Sequence, residues 1–81
     1  MQNAFVLINT QIGAEGEVLK NLKKIDEVKE VYLVYGVYDA IVKVEAENME
    51  ELRKVIIHKI RKMKKVMSTI TMIITEHHIK T

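Results

Sequence analysis

The chain has 81 residues, no cysteine, no proline, three glycines and a formal net charge of +2. Such a length makes one domain, residues 1–81, with no disulfide or thiolate metal site to reinforce it, so oligomerisation is the remaining supplement to a small core. A hydrophobic share of 48% argues against disorder; no apolar run reaches a membrane span, no basic signal-peptide start is present, and the small net charge is no argument for nucleic acid, so the expected compartment is the cytoplasm.

Residues 4–8 (Ala-Phe-Val-Leu-Ile) form a short apolar run of strand composition. From residue 15 to 25 the period becomes helical, with Val18, Leu19, Leu22 and Ile25 on one side, Lys20, Lys23 and Lys24 opposite, and Gly13 as the candidate cap. Residues 28–35 and 38–46 read as a second and a third strand. In the third, Ala40, Val42 and Val44 alternate with Ile41, Lys43 and Glu45. Asn48-Met49-Glu50-Glu51 has the form of a capping box, in which Asn48 accepts from the amide three residues on and Glu51 reaches back. It opens a helix over about 49–63 with an apolar stripe of Met49, Leu52, Ile56, Ile60 and Met63, widened by Val55 and Ile57. Residues 66–76 make the last strand, with Val66, Ile70, Met72 and Ile74 on one face and Met67, Thr69, Thr71, Ile73 and Thr75 on the other. Residues 77–81 are expected to fray.

This β-α-β-β-α-β order is an α+β, ferredoxin-like arrangement, a four-stranded antiparallel sheet with two helices on one face. The uncovered face of a monomer should be polar. Here strand one is apolar on both sides, strand three adds Ile41, and the back of strand four is expected to carry Met67 and Ile73. The expectation is a sheet-to-sheet dimer, with further assembly.

Between the second and third strands stands Tyr35-Gly36-Val37-Tyr38-Asp39. Two strand-like runs joined by a tight Gly/Asp link read as a hairpin, and Gly36 is the residue there able to take a positive φ without steric cost. Asp39 has two readings, a turn cap or a carboxylate offered to a ligand. The segment Gly36-Val37-Tyr38-Asp39-Ala40-Ile41-Val42-Lys43-Val44 resembles the G-x-[YF]-D-[AL]-hydrophobic segment of the Lrp/AsnC (feast/famine) transcription regulators. Val66-Met67-Ser68-Thr69-Ile70-Thr71-Met72 is similar to the closing strand of their C-terminal effector domain, the RAM domain, and Asn48-Met49-Glu50-Glu51-Leu52 matches the helix start between them.

The resemblance spans residues 4–76. It implies a stand-alone effector domain without the helix-turn-helix, and therefore no direct DNA binding. It also implies dimers that assemble into rings, octameric ones included, and hetero-assembly with full-length Lrp/AsnC regulators. A glycine often precedes the final Val in the family; Lys65 stands here. The resemblance further implies a free amino acid as effector and no other cofactor, bound at Tyr35, Gly36, Val37, Tyr38, Asp39, Ser68, Thr69 and Thr71. The chemistry agrees. Asp39 can take an ammonium, the backbone of 35–39 a carboxylate, and the hydroxyls of Ser68, Thr69 and Thr71 either end. As plain strand formers, Thr69 and Thr71 need no ligand at all.

Other readings compete. A small dimeric enzyme of isomerase or monooxygenase type would need a histidine or acid in a pocket between sheet and helices, whereas the histidines lie on the second helix and the tail. An RNA-binding sheet would expose aromatics on its central strands, where Phe5 is the only Phe. An ACT-like sensor would use Gly13 rather than Gly36. The basic cluster Arg53, Lys54, Lys59, Arg61, Lys62, Lys64 and Lys65 reads as a solvated helix face, and His77-His78 would point to opposite faces of a strand, a poor metal pair.

Overall fold

In the computed structural model, which describes residues 1–80, the elements run β1 Gln2–Thr10, α1 Glu15–Leu22, β2 Val28–Leu33, β3 Ala40–Ala46, α2 Met49–Lys54 and β4 Val66–Ile74. One antiparallel sheet is ordered β2-β3-β1-β4, the expected ferredoxin-like order. None of its helices is long and apolar enough to cross a membrane.

Alternation decides which face is covered. Ala4, Val6 and Ile8 of β1 and Ala40, Val42, Val44 and Ala46 of β3 are buried, and they pack with Val18 and Leu22 of α1 and with Leu52, Val55, Ile56 and Ile60. The period-2 pattern of β3 is the clearest in the chain, and its inward half is the centre of this core. No polar or charged side chain is buried among the described residues.

Helix ends follow local chemistry. Asn48 caps α2, its Oδ1 accepting from the Glu51 amide at 2.9 Å. The reciprocal half of the capping box is not made; the Glu51 carboxylate pairs with Lys54 at 3.6 Å instead. After Lys54 the helix widens into one π-type turn, Val55–Ile60, with the Arg61 amide donating to the Ile56 carbonyl. The helix thus ends at Ile60 rather than near Met63, and Met49 stays 39% exposed. Helix α1 is shorter than its periodicity suggests, stopping at Leu22, and Ala14 rather than Gly13 occupies the cap position. Gly13 instead supplies the turn before it, with φ +80°.

Strand β4 departs most from expectation. Asn9 pairs with Ser68 but Thr10 with Val66, so Met67 is an extra residue at a bulge. Val66 packs against the core, but beyond the bulge the faces are exchanged. Thr69, Thr71 and Ile73 lie opposite Ile8, Val6 and Ala4, on the helix side. Ile70, Met72 and Ile74 lie on the open side with Leu7, Phe5 and Asn3. The assignment of Ile73 to the open face is therefore corrected, whereas Ile41 does lie there, beside Leu7. Being an edge strand, β4 is poorly covered even on the helix side, and Ile73 is still 39% exposed.

Leu52 of α2 is fully buried in the core between helix and sheet. Leu52→Ala should cost about 2–5 kcal/mol of unfolding free energy in urea titrations, a cavity effect.

Candidate functional site

Strand β2 ends at Leu33 rather than Tyr35 and β3 begins at Ala40 rather than Tyr38, so residues 34–39 form an open loop rather than a tight hairpin turn. The loop is closed by one backbone bond, the Val34 amide to the Asp39 carbonyl at 2.9 Å. Gly36 has φ +148°, a backbone state that side chains strain to adopt. Tyr35 and Val37 project into solvent, while Tyr38 and Asp39 are half-buried.

Asp39 ties this loop to the central strand. Its amide donates to the Ile8 carbonyl at 2.9 Å, continuing the β1–β3 ladder one step past Ala40. The Thr10 amide, next in line on the same side of β1, has no β3 residue opposite it. Asp39 Oδ2 accepts from that amide at 2.8 Å, with the Thr10 hydroxyl at 3.4 Å. The carboxylate thus stands in for a missing strand residue. Thr10 is the partner that sequence reading missed; its pairing spans 29 positions in the chain. The hydrogen bonds of the carboxylate among the described residues run through Oδ2, and Asp39 lines a concavity of about 400 Å³ together with Glu15, Leu33, Val34 and Tyr35.

The other expected site residues lie elsewhere. Ser68 is on the open face, its hydroxyl accepting from Asn9 Nδ2 at 3.4 Å, whereas Thr69 and Thr71 are on the helix side. Ser68 and Thr69 line a second groove of about 320 Å³ with Arg61, Val66 and Met67; Thr71 lies outside it. Both concavities sit at the same end of the sheet, on opposite flanks of β1. Asp39 and Ser68 are two strand spacings, about 10 Å, apart. The structure therefore brings Tyr35 and Asp39 to one depression and Ser68 and Thr69 to another, and does not join the two within one chain.

Lys65, which precedes β4, has φ +72°, the left-handed state that glycine favours at the corresponding family position. It is held there by the Gln11 amide on its carbonyl and by its ammonium on Glu17 at 3.0 Å. Of the basic cluster, Lys54, Lys59 and Lys65 are paired with acids. The three histidines are exposed, and no group of three or more potential metal ligands occurs among the described residues.

The open sheet face carries cross-strand rows. Tyr32, Ile41, Leu7 and Ile70 run across all four strands, and Glu30, Lys43, Phe5 and Met72 form the next row. Lys43 bridges Glu30 and Glu45 at 3.8 and 3.7 Å. Tyr32 donates its hydroxyl to Glu30, and this bond, with the charge of Glu30, raises the phenol above its ordinary 10.0.

A βαββαβ sheet with two helices on one face and the other face bare is a ferredoxin-like domain. The chain matches the family model of the Lrp/AsnC ligand binding domain over residues 3–81 and belongs to that family. It is similar to the crystal structure of FFRP-DM1, with 49% identity over 91% of this chain and 99% of that one, at TM-score 0.89. It is also similar to the hypothetical protein PHS023 from Pyrococcus horikoshii, with 47% identity over 96% of this chain and 94% of that one, at TM-score 0.88. E. coli AsnC is 28% identical at TM-score 0.91; the match takes in 99% of this chain but 54% of AsnC, so the chain spans about half of that protein's length. Among curated proteins no relative matches.

Removing the Asp39 carboxylate leaves the Thr10 amide unpaired. Asp39→Ala should lower stability by about 1–3 kcal/mol in chemical denaturation, and Asp39→Asn, which still accepts from that amide, by clearly less.

Proposed function

We propose that this chain is an amino-acid-responsive assembly module, in which a free amino acid binds at a contact between copies and biases the oligomer. The observation that carries this reading is the uncovered sheet face. Tyr32, Ile70 and Met72 are about half exposed there, at 51%, 47% and 48%. Phe5, Leu7 and Ile41 lie between them, half-buried. Covering such a face with a second copy returns on the order of 5–10 kcal/mol, comparable to the stability of a domain this size. Its β1/β4 half is apolar and its β2/β3 half holds the Glu30–Lys43–Glu45 ion pairs, so two copies related by a two-fold axis can match like with like.

Ring formation through further contacts would then set the two end concavities of neighbouring copies against each other. Tyr35, Gly36, Val37, Tyr38 and Asp39 supply one wall of the effector site, and Ser68 and Thr69 the other. Thr71, farther along β4, bounds it. Asp39 Oδ1 is the acceptor for the ammonium group. Full-length regulators carry the same domain, as the match to about half of AsnC indicates, so the bare face can equally pair with theirs. In this reading the chain modulates transcription through the partners it assembles with, and has no catalytic step.

Ile70→Lys places a charge on the bare face at a side chain half exposed in the single chain, so folding should survive. Sedimentation velocity should show the wild type as a dimer or larger and the variant as a monomer at micromolar concentration. Calorimetry against the twenty amino acids should give binding to the wild type only; a wild-type monomer, or a monomeric variant with unchanged binding, would contradict the proposal.

A further inference from the structure

We infer that Arg61 is the carboxylate anchor of the effector site and acts on the amino acid held by Asp39 of a neighbouring copy. This rests on the amino-acid reading above, in which neighbouring copies supply the two walls of the site, and adds to it the residue that holds the carboxylate.

The two concavities differ in chemistry. The loop-side depression holds two acids, Glu15 and Asp39, beside the apolar Leu33 and Val34 and the ring of Tyr35. That lining suits an ammonium group and an apolar side chain. The β4-side groove contains no acid. It is lined by Arg61, Ser68 and Thr69 with Val66 and Met67, and Arg61 begins a stretch in which Lys62, Lys64 and Lys65 follow. Arg61 forms no ion pair among the described residues, whereas Lys54, Lys59 and Lys65 all do. Ser68 accepts from Asn9 and keeps its own hydrogen to donate. Alternate amides of β4 point outward, because it is an edge strand paired only with β1. A guanidinium, hydroxyls and edge amides in one groove form an oxyanion site, and the guanidinium fork matches a carboxylate in particular.

The ammonium and carboxylate of an amino acid share one Cα. Asp39 and Ser68 stand about 10 Å apart, with β1 between them, so one chain cannot hold both groups. Placing the acidic depression of one copy on the basic groove of the next joins them. That contact is head-to-tail, and a head-to-tail contact closes into a ring when its rotation permits.

The test uses the full chain with the tightest-binding of the twenty amino acids and with the α-carboxamide of that amino acid. Arg61 is exposed, so Arg61→Gln should fold as the wild type does, which circular dichroism checks. Calorimetry should show Arg61→Gln weakening the free amino acid by about ten- to hundred-fold, with Arg61→Lys between, while the carboxamide binds wild type and Arg61→Gln alike. An equimolar mixture of Arg61→Gln and Asp39→Asn, dissociated and reassembled, should regain about a quarter of the wild-type sites, the chance that a contact pairs two intact halves. Wild-type affinity in Arg61→Gln would overturn the anchor and leave the proposed function standing. No recovery on mixing would overturn the arrangement in trans. A wild type that binds none of the twenty would overturn both the proposed function and this inference.

Discussion

Two helices cover one face of a four-stranded sheet and leave the other bare. Everything distinctive about this chain follows from having made the bare face apolar. Strand β1 shows it most plainly: Ala4, Val6 and Ile8 fill the core, while Phe5 and Leu7, pointing the other way, are only half-buried. A polar residue at position 5 or 7 would leave the fold intact, because the core is complete without either. Those side chains have no role in the single chain that their chemistry explains. In the proposed assembly their role is to be covered by a second copy.

The fold was largely legible in the residues, and the reason is alternation. Strand β3 alternates without error, the Asn48 cap is a local signal, and Gly36 sits where a positive φ is required. Legibility failed where alternation carried no information. Strand β4 has hydrophobic or hydroxyl-bearing residues at every position from Val66 to Ile74, so nothing in the pattern marks the bulge at Met67 that exchanges its faces. Likewise the π-type turn at Val55–Ile60 leaves no composition signal, since all its apolar residues would suit an α-helix.

The site was legible in part, again for physical reasons. That Asp39 matters could be read from its loop, but its engagement with Thr10 could not, because it depends on how far β1 runs past the start of β3. Of the two readings of Asp39, the structure shows the loop-shaping one, through the Thr10 amide; the ligand-binding one belongs to the proposal. Oδ2 fixes the loop to the central strand, and Asp39 is at the same time a lining residue of the depression. Ser68 and Thr69 share one groove with Arg61, Val66 and Met67, and Thr71 lies outside it.

If the effector site is split between two copies as proposed, the split has a thermodynamic consequence. A ligand changes an equilibrium only by its differential affinity for the states involved. An amino acid held wholly within one chain would bind monomer and oligomer nearly alike and would shift little. An amino acid bridging two chains finds its site only after assembly, so nearly all of its binding free energy counts toward the oligomer. At a ligand concentration one hundred times Kd that is about 2.7 kcal/mol per contact, with no need for tight binding. Around a ring the same term recurs at every contact. A small chain with a two-part site of opposite charges can therefore respond steeply to a modest change in amino-acid concentration, without any conformational change inside its own sheet.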